Sequence, residues 1–224
     1  TIRVARWDGE TWTDLGVSMG AYSLQNLPIR IVRFQQWLAV SGVLSVNGQP
    51  GDVGLWDGTN WSALQLSITN PGALYGDATY LYVAGRDLLG NYGAVRRWDG
   101  SVETSMPLAS TNVNAFVEWN GSLYAGGSGS PGGFVVWWDG TQWNPTANIT
   151  SSPHTLRVYN NELYVAGGFT PSVAKWTGAS WSTVATNLES CYPVDIFFFG
   201  GRLYRSSVSW PANFNNVAML KDGN

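Results

Sequence analysis

Three acidic residues are candidates for catalysis, because glycoside hydrolysis needs two carboxyl groups held about 5–10 Å apart. Asp77, Glu118 and Asp195 lie four, five and eight residues before the leucine of a recurrent Leu-Tyr motif. Because side chains alternate along a strand, Asp77 and Asp195 would share one face and Glu118 would take the other. This offset argues against a glycosidase and predicts that none of the three is catalytic.

The single cysteine and the single histidine exclude other chemistries. Cys191 cannot form an internal disulfide, and His154 cannot complete a His/Cys zinc site. A cysteine nucleophile needs a base beside it, yet the two residues fall in different predicted loops. The sequence also has no glycine-rich phosphate cradle and no calcium loop. We therefore predict a protein that is not an enzyme and that has neither a cofactor nor a metal.

Composition excludes two classes of partner. Only 12% of the 224 residues are charged, and 12 Lys and Arg against 15 Asp and Glu give a net charge of −3. A nucleic-acid protein would need a basic surface to replace the counterions of phosphate. No apolar run approaches the ~18 residues of a membrane-spanning helix, and no signal peptide opens this chain. Low charge favours an extracellular or virion-surface location. A chain with a single cysteine is also compatible with a cytosolic location.

Most of the 13 tryptophans belong to an internal repeat. Five segments share a pattern close to VxxWDGxxW, and their anchor residues are separated by 49, 42, 40 and 38 residues. A degraded sixth copy follows 45 residues later. This period lies within roughly 40–50 residues, the length of a propeller blade. The anchors are Trp7, Trp56, Trp98, Trp138, Trp176 and, in the degraded copy, Lys221.

A second motif, of the form LYVAG, precedes each anchor from Trp56 onward. An apolar run lies upstream of each copy, and Asp-Gly, Asn-Gly or similar pairs separate the runs as in tight hairpins. Each period therefore has four strands, named A (apolar), B (LYVAG), C (VxxWDG) and D (the run after it). We predict an all-β, five-bladed β-propeller of four-stranded antiparallel blades that forms one domain over residues 1–224.

The chain begins at strand C, in the middle of a repeat. Strands at about Ile2–Trp7 and Thr11–Leu15 are expected to complete the last blade. Its A and B strands lie at about Val194–Phe199 and Arg202–Ser207, so pairing of the N- and C-terminal strands would close the propeller. Strand C then occurs twice for this blade, because Val217–Leu220 is a second copy. The sequence leaves open which copy is used and whether the chain is a piece of a longer array.

The repeats resemble those of kelch and galactose-oxidase-like propellers, whose B strands end in a glycine pair. Gly126-Gly127 and Gly167-Gly168 match that pair, and WDG stands where kelch blades usually have a Tyr-Asp-Pro turn. Similar LYVAGG…VARWDG…WSxLG repeats are found in bacterial surface or secreted proteins and in phage proteins. The resemblance covers nearly the whole chain and implies the propeller fold, but it implies no particular function.

The repeated tryptophans suggest sugar stacking, but their fixed positions favour packing between blades. The aspartates of WDG are expected to accept backbone N–H groups in the turns. Trp210 breaks the register in a long polar stretch, which makes it the best candidate for an exposed binding aromatic. The nine tryptophans in register are Trp7, Trp12, Trp56, Trp61, Trp98, Trp138, Trp143, Trp176 and Trp181.

The B–C and D-to-A connections vary in length and composition, and they should leave the propeller on one face. Variable loops on a rigid scaffold are a usual place for recognition. We predict an aromatic platform with amides as hydrogen-bond partners, which orients a ligand without burying an unpaired charge. The predicted aromatics are Trp210, Phe214, Tyr92 and Tyr192, the amides are Asn91, Asn213 and Asn215, and Tyr22 and His154 lie beside them.

The leading hypothesis is a non-catalytic, lectin-like recognition module that binds a carbohydrate or a cell-surface receptor for an adhesin or a virion. The alternative is a protein-interaction or virion-assembly scaffold that docks a structural partner with the same loops. A five-bladed-propeller glycosidase is the weakest candidate, because the three acids are offset from one another.

Overall fold

The computed structural model describes residues 3–19, 30–46, 49–108, 111–130, 132–169, 172–184, 192–208 and 217–220. Within these ranges every regular element is a β-strand, as the repeat predicts. The same ranges contain no helix with the length and apolar character needed to cross a bilayer. Contacts between Cα atoms divide the chain into two compact units, Thr1–Ala109 and Ser110–Asn224.

The first unit contains two antiparallel sheets. Sheet 1 is a four-stranded blade to which an N-terminal hairpin is joined, and sheet 2 is a four-stranded blade. Sheet 1 consists of β1 (Arg3–Trp7), β2 (Trp12–Met19), β3 (Arg30–Phe34), β4 (Trp37–Val46), β5 (Gln49–Trp56) and β6 (Trp61–Leu64). Sheet 2 consists of β7 (Thr69–Gly76), β8 (Leu81–Arg86), β9 (Tyr92–Trp98) and β10 (Glu103–Ser105).

The second unit contains three antiparallel sheets. Sheet 3 consists of β11 (Asn112–Trp119), β12 (Ser122–Ser128), β13 (Gly133–Trp138) and β14 (Trp143–Pro145). Sheet 4 consists of β15 (Pro153–Tyr159), β16 (Glu162–Gly167), β17 (Val173–Trp176) and β18 (Trp181–Thr183). Sheet 5 has three strands among the described residues, β19 (Tyr192–Phe199), β20 (Arg202–Val208) and β21 (Val217–Leu220).

In sheets 1 to 4, strands A to D are neighbours in the order of the chain, and in sheet 5 strands A to C are. The all-β, five-bladed architecture is thereby confirmed, with sheets 1 to 5 as the blades. That residues 1–224 form one domain stays a prediction.

The structure shows which copy of strand C belongs to sheet 5, a choice that the sequence leaves open. β20 pairs with β19 on one edge and with β21 on the other, so the later copy of strand C completes sheet 5. β1 pairs with β2, and β2 continues to β4 through Ser18 and Met19. Both hydrogen-bonding edges of β20 are therefore occupied by strands of its own unit.

A carboxylate closes the turn between strands C and D. Asp57 Oδ1 accepts the backbone N–H groups of Thr59 and Asn60, both at 2.7 Å. In the fourth blade a hydroxyl replaces the carboxylate, and Ser180 N donates to Thr177 Oγ1 at 3.1 Å. The predicted turn role is therefore confirmed for the described WDG aspartates, which are Asp8, Asp57, Asp99 and Asp139.

Two tryptophans face each other across most of these turns. Ring centroids in the four Trp–Trp pairs are 4.9 to 5.5 Å apart. Trp61 is only 7% exposed, and its indole N–H donates to Leu15 O at 2.6 Å. Packing against the core is confirmed for several partly buried members, namely Trp56, Trp98, Trp176 and Trp181.

The packing interpretation is wrong for the pair in the N-terminal hairpin. Trp7 is 49% exposed and Trp12 is 70% exposed. The physical reason is that β2 joins β4 only at its far end, through Ser18 and Met19. The tip of the hairpin, where the two indoles lie, gains no neighbouring strand from that pairing.

The core of each unit lies between its sheets. In the first unit, Leu81 and Val83 of β8 are fully buried in a cluster with Phe34 of β3. In the second unit, Leu163 and Val165 of β16 occupy the same repeat positions in another cluster. Strand B is therefore the buried centre of each blade, as its continuous apolar sequence predicts.

A glycine at the end of strand B lets strand A bulge. The register of β11 against β12 shifts between Val113 and Ala115. A Cβ atom on Gly127 would lie 1.9 Å from Asn112 O, so no other residue fits there. The extra residue, Asn114, donates its side-chain N–H to Pro153 O at 2.7 Å and so ties sheet 3 to sheet 4.

We expect Trp61→Ala to lower the free energy of unfolding by about 3–5 kcal/mol, because it empties a buried site and leaves Leu15 O without its donor. Trp12→Ala removes the indole at the same turn position of the exposed hairpin and should cost less than about 1 kcal/mol. Urea titration followed by fluorescence measures both. Equal losses would show that the hairpin tip is buried after all.

The turn carboxylates should make stability depend on pH. Hydrogen bonds from the Gln142 N–H and the Asn144 amide hold the pKa of Asp139 well below its ordinary 3.8. The stabilisation is thus present above the unfolded-state pKa and is lost as the pH falls through the folded-state pKa.

We therefore expect Asp139→Asn to have a lower Tm than the wild type at pH 7, with a difference that shrinks below about pH 4. Thermal unfolding from pH 7 to pH 2 measures it. Thr177→Ala removes the acceptor of the equivalent turn in the fourth blade, a hydroxyl that does not ionise in this range, so its Tm difference should stay the same from pH 7 to pH 2. A constant Tm difference for Asp139→Asn would contradict the linkage.

Candidate functional site

The structure describes four of the nine predicted ligand-binding residues. Asn91 and Tyr92 lie at the loop between β8 and β9, as predicted. Tyr192 is the first residue of β19, and His154 lies half-buried in β15, at a register shift between Pro153 and Thr155. Trp210, Phe214, Asn213, Asn215 and Tyr22 lie outside the described residues, and their role stays a prediction.

The backbone of the β8–β9 loop, residues 87–91, is tightly closed. Asp87 N donates to Asn91 O at 2.9 Å, and Gly90 N donates to Asp87 O at 3.0 Å. Gly90 has a φ of +87°, a conformation that favours glycine. Thr69 of β7 adds a hydroxyl contact of 3.4 Å to Asp87 O. The loop is thus fixed at both of its ends.

The carboxylate of Asp87 accepts hydrogen bonds from other residues of this loop and so holds its shape. Its Oδ1 accepts the N–H groups of Leu89 at 2.9 Å and Asn91 at 2.8 Å. Its Oδ2 accepts the side-chain amide of Asn91 at 2.9 Å. These bonds, the Asn91 amide first, lower the pKa of Asp87. The Asn91 amide, predicted to contact a ligand, therefore also serves the loop itself.

Arg86 orders the aromatic side chain at the other end of the loop. Its guanidinium lies over the Tyr92 ring, with Cζ 3.9 Å from the centroid. The same group donates to Gly90 O at 3.1 Å and to the Tyr92 hydroxyl. Tyr92 remains 49% exposed, so it presents a positioned aromatic surface to solvent.

Two leucines at the tip of the loop face solvent. Leu88 is 69% exposed and Leu89 is 87% exposed, although the backbone that carries them is fixed by hydrogen bonds. Neither residue was predicted from the sequence, because the predicted ligand contacts were aromatic and amide side chains. The available signal was a pair of leucines inside a turn sequence, Arg-Asp-Leu-Leu-Gly-Asn, where no strand periodicity calls for apolar residues.

The acidic residues considered for catalysis have other contacts. Asp77 Oδ1 accepts the N–H groups of Thr79 and Tyr80, both at 2.6 Å. Asp195 forms an ion pair of 2.7 Å with Arg157 and accepts the Thr155 hydroxyl at 2.9 Å. Asp77 and Asp195 therefore have structural roles in their own units. Within the part of the chain that the structure describes, no three His, Cys, Asp or Glu side chains form a group that could hold a metal ion.

Comparisons with known proteins identify the fold alone. No protein-family model matches the sequence, and no curated protein matches it. Many solved structures are similar, and three of them, at 12–18% identity, illustrate the likeness. The nidogen/laminin complex has a TM-score of 0.61 and 14% identity over 94% of this chain and 80% of that chain.

The WD40 β-propeller domain of Doa1 has a TM-score of 0.59 and 12% identity over 81% of this chain and 62% of that chain. YCF48 bound to D1 peptide has a TM-score of 0.57 and 18% identity over 89% of this chain and 67% of that chain. This chain spans 62% to 80% of these three chains, and about half of the length of another similar structure, a computationally designed protein. The similarity shows a β-propeller, in agreement with the five sheets.

We expect Asp87→Ala to loosen the β8–β9 loop without unfolding the blade, because it removes the internal acceptor of three hydrogen bonds. Amide hydrogen exchange at Leu89 and Asn91 should accelerate by at least about tenfold. Asp87→Asn keeps one oxygen acceptor and serves as the matched control, with a smaller acceleration. Unchanged exchange in Asp87→Ala would show that the carboxylate is not what holds the loop.

Proposed function

We propose that this chain is a non-catalytic recognition module that binds a protein or peptide partner through the β8–β9 loop. The observation that supports this most directly is the exposure of Leu88 and Leu89 on a backbone held by the Asp87 carboxylate. An apolar pair at the tip of a braced loop fits a partner's apolar pocket, as protein interfaces require.

The affinity of such a loop depends on how much conformational freedom it loses when the partner binds. Burying an exposed leucine stabilises a complex by about 1.5–3 kcal/mol, from which the cost of ordering the contact must be subtracted. Because the hydrogen bonds within residues 87–91 already fix the backbone, little of that cost remains to be met on binding. Tyr92, held by Arg86, adds a rigid aromatic beside the leucines.

Two similar structures support a protein partner. One is a complex of nidogen with laminin, and the other is YCF48 bound to a D1 peptide. Both share the propeller scaffold with this chain at low identity, so they support the class of partner and not its name.

Carbohydrate or cell-surface binding is the second candidate, in line with the kelch-like LYVAGG and WDG repeats. The observation that favours it is the exposed indole pair of Trp7 and Trp12, 5.5 Å apart, since aromatic faces stack on sugars. In either case we place the module outside the cell or on a virion and assign it no catalytic residues. The structural roles of Asp77 and Asp195 support the proposal that the module is non-catalytic.

The test is selection of phage-displayed random peptides on the immobilised chain, followed by affinity measurement with each selected peptide. We expect the double variant Leu88→Ser/Leu89→Ser to weaken binding by at least about tenfold, because both apolar anchors are lost. Its Tm should stay within a few degrees of the wild type, since neither side chain is buried.

Val102→Ser is the matched control, because Val102 is 59% exposed in the C–D turn of the same blade. It should leave peptide binding unchanged. Selected peptides that bind the double variant as tightly as the wild type would contradict the assigned loop. No selectable peptide, together with saturable binding on a glycan array, would favour the carbohydrate candidate instead.

A further inference from the structure

The N-terminal hairpin of β1 and β2 packs on sheet 1 in the way that one sheet packs on the next within each unit. Val4 of β1 is 5% exposed and lies in a buried cluster with Val40 of strand B. The indole N–H of Trp61 donates to Leu15 O, in β2, at 2.6 Å. The equivalent positions that share a cluster or a hydrogen bond between later sheets are Val53 with Val83, Val135 with Val165, and Trp181 with Ala147. The hairpin therefore occupies the place of strands C and D of a blade before sheet 1.

The outer edge of β1 lacks the strand that borders every other strand C. In each of the five sheets, strand C pairs antiparallel with strand B. In the described part of the first unit, β1 pairs with β2 alone. An unpaired strand edge presents a row of backbone N–H and C=O groups to which another strand can add. The edge of β1 is thus a template for strand addition.

An apolar side chain beside this edge is exposed at a position that is otherwise buried. Ile31 of β3, seven residues before the leucine of strand B, is 53% exposed. The residues at this position in the other blades are at most 7% exposed, and they are Leu74, Phe116, Leu156 and Ile196. Ile196, for example, shares its cluster with Tyr164, the second residue of strand B in the preceding sheet. Ile31 therefore lacks the side chain that a strand B would pack against it.

Trp7 marks the register in which a strand would add to β1. The equivalent tryptophans of sheets 1 and 2 pair with the leucine of strand B, Trp56 with Leu38 and Trp98 with Leu81. Both of these indoles pack against core clusters, whereas Trp7 is 49% exposed. A strand added in the same register would set its leucine opposite Trp7 and cover part of the indole.

Arg6 supplies a charge that selects the sequence of the added strand. It is exposed, and none of the ion pairs among the described residues includes it. In β17 the same repeat position is held by Lys175, which forms an ion pair of 2.8 Å with Glu162. Glu162 comes directly before the LYVAG motif. A strand that pairs with β1 as β16 pairs with β17 would therefore bring a glutamate to Arg6.

The strands B of this chain are not available for the edge. Each of the five has a neighbour on both of its edges, as β20 has with β19 and β21. A second copy of the chain brings the same occupied strands and does not supply the missing one. A saccharide or a helix would leave the backbone groups of the edge without partners. These observations select an extended segment of another protein.

We infer that β1 binds an extended segment of a partner protein by antiparallel strand addition. The segment resembles strand B, with a leucine opposite Trp7, a glutamate before it for Arg6, and an aromatic residue that packs on Ile31. The added strand continues the interface that strands A and B form between successive sheets. This surface belongs to the N-terminal hairpin and sheet 1, whereas the β8–β9 loop belongs to sheet 2, so the inference goes beyond the proposed function.

The test is a fluorescence-anisotropy titration of a labelled peptide, Asn-Asn-Glu-Leu-Tyr-Val-Ala-Gly-Gly, with the full chain. The peptide has the sequence of residues 160–168 and is a strand B with both edges free. We expect saturable binding to the wild type, and binding at least about tenfold weaker to Ile31→Asp and to Arg6→Glu. Val102→Asp makes the same kind of change at a 59% exposed residue away from the edge, and it should bind as the wild type does. Thermal unfolding confirms that the variants are folded.

A peptide in which lysine replaces the glutamate tests the register. It should bind the wild type at least about tenfold more weakly than the original peptide and should regain affinity with Arg6→Glu. Equal affinity of the two peptides for the wild type would overturn the assigned register. Absence of saturable binding to the wild type, or equal affinity of Ile31→Asp and the wild type, would overturn the inference.

Sedimentation of the wild type without peptide tests the source of the strand. Dimers that are lost in Ile31→Asp would overturn the assignment to another protein, because a second copy would then fill the edge. The double variant Leu88→Ser/Leu89→Ser should bind the strand-B peptide as the wild type does. Failure of this inference is thereby distinguished from failure of the proposed function.

Discussion

Burial of the strand-B side chains between neighbouring sheets is the interaction on which the other features depend. Val40, Val83, Ala125 and Val165 hold the same repeat position in four blades, and each is fully buried. This apolar contact is non-directional, so it brings sheets together without specifying how each turn is built. The turns are specified by polar groups, chiefly the WDG carboxylates, which accept the N–H groups that a tight turn leaves unpaired.

The sequence predicts those parts of the structure that repeat. Strands A to D and the turn role of Asp57 follow from the period and from hairpin chemistry, which are local properties of the chain. Pairing between distant segments is different, because the sequence offers two copies of strand C for one edge of β20, and β21 is the copy that pairs there. Local sequence does not determine which copy pairs, so the pairing of β21 with β20 could only be learned from the structure.

Exposure is a second property that the repeat does not determine. Trp12 and Trp61 have the same position in the motif, yet one is 70% exposed and the other 7% exposed. The difference arises from which strands lie beside them, since β6 belongs to a complete blade and β2 is joined only through its end. The candidate loop was missed for a related reason: Leu89 is notable because it is exposed on a backbone fixed by hydrogen bonds, and its residue type does not suggest binding by itself.

The regular scaffold makes departures from the repeat informative. Gly76 replaces a side chain and lets the backbone of Arg33 approach closely, and Leu88 and Leu89 place apolar groups in a loop whose hydrogen bonds would be met equally well by polar residues. A repeat position tolerates such a change only where the remaining contacts hold the blade together. In sheet 2, strand B supplies those contacts, because every side chain from Leu81 to Ala84 is buried.

Sheet 5 shows what happens when the departure falls within strand B itself. Arg205 stands where the other blades have valine or alanine, and it is only 4% exposed. Its terminal nitrogen donates to Ser172 Oγ at 2.6 Å, but its Nε has no hydrogen-bond partner among the described residues. A buried guanidinium is costly unless its donors are satisfied, so this blade gains less from strand-B burial than its neighbours do. Its attachment to sheet 4 therefore depends more on the aromatic contact of Tyr159 with Phe198, whose rings stack 4.1 Å apart.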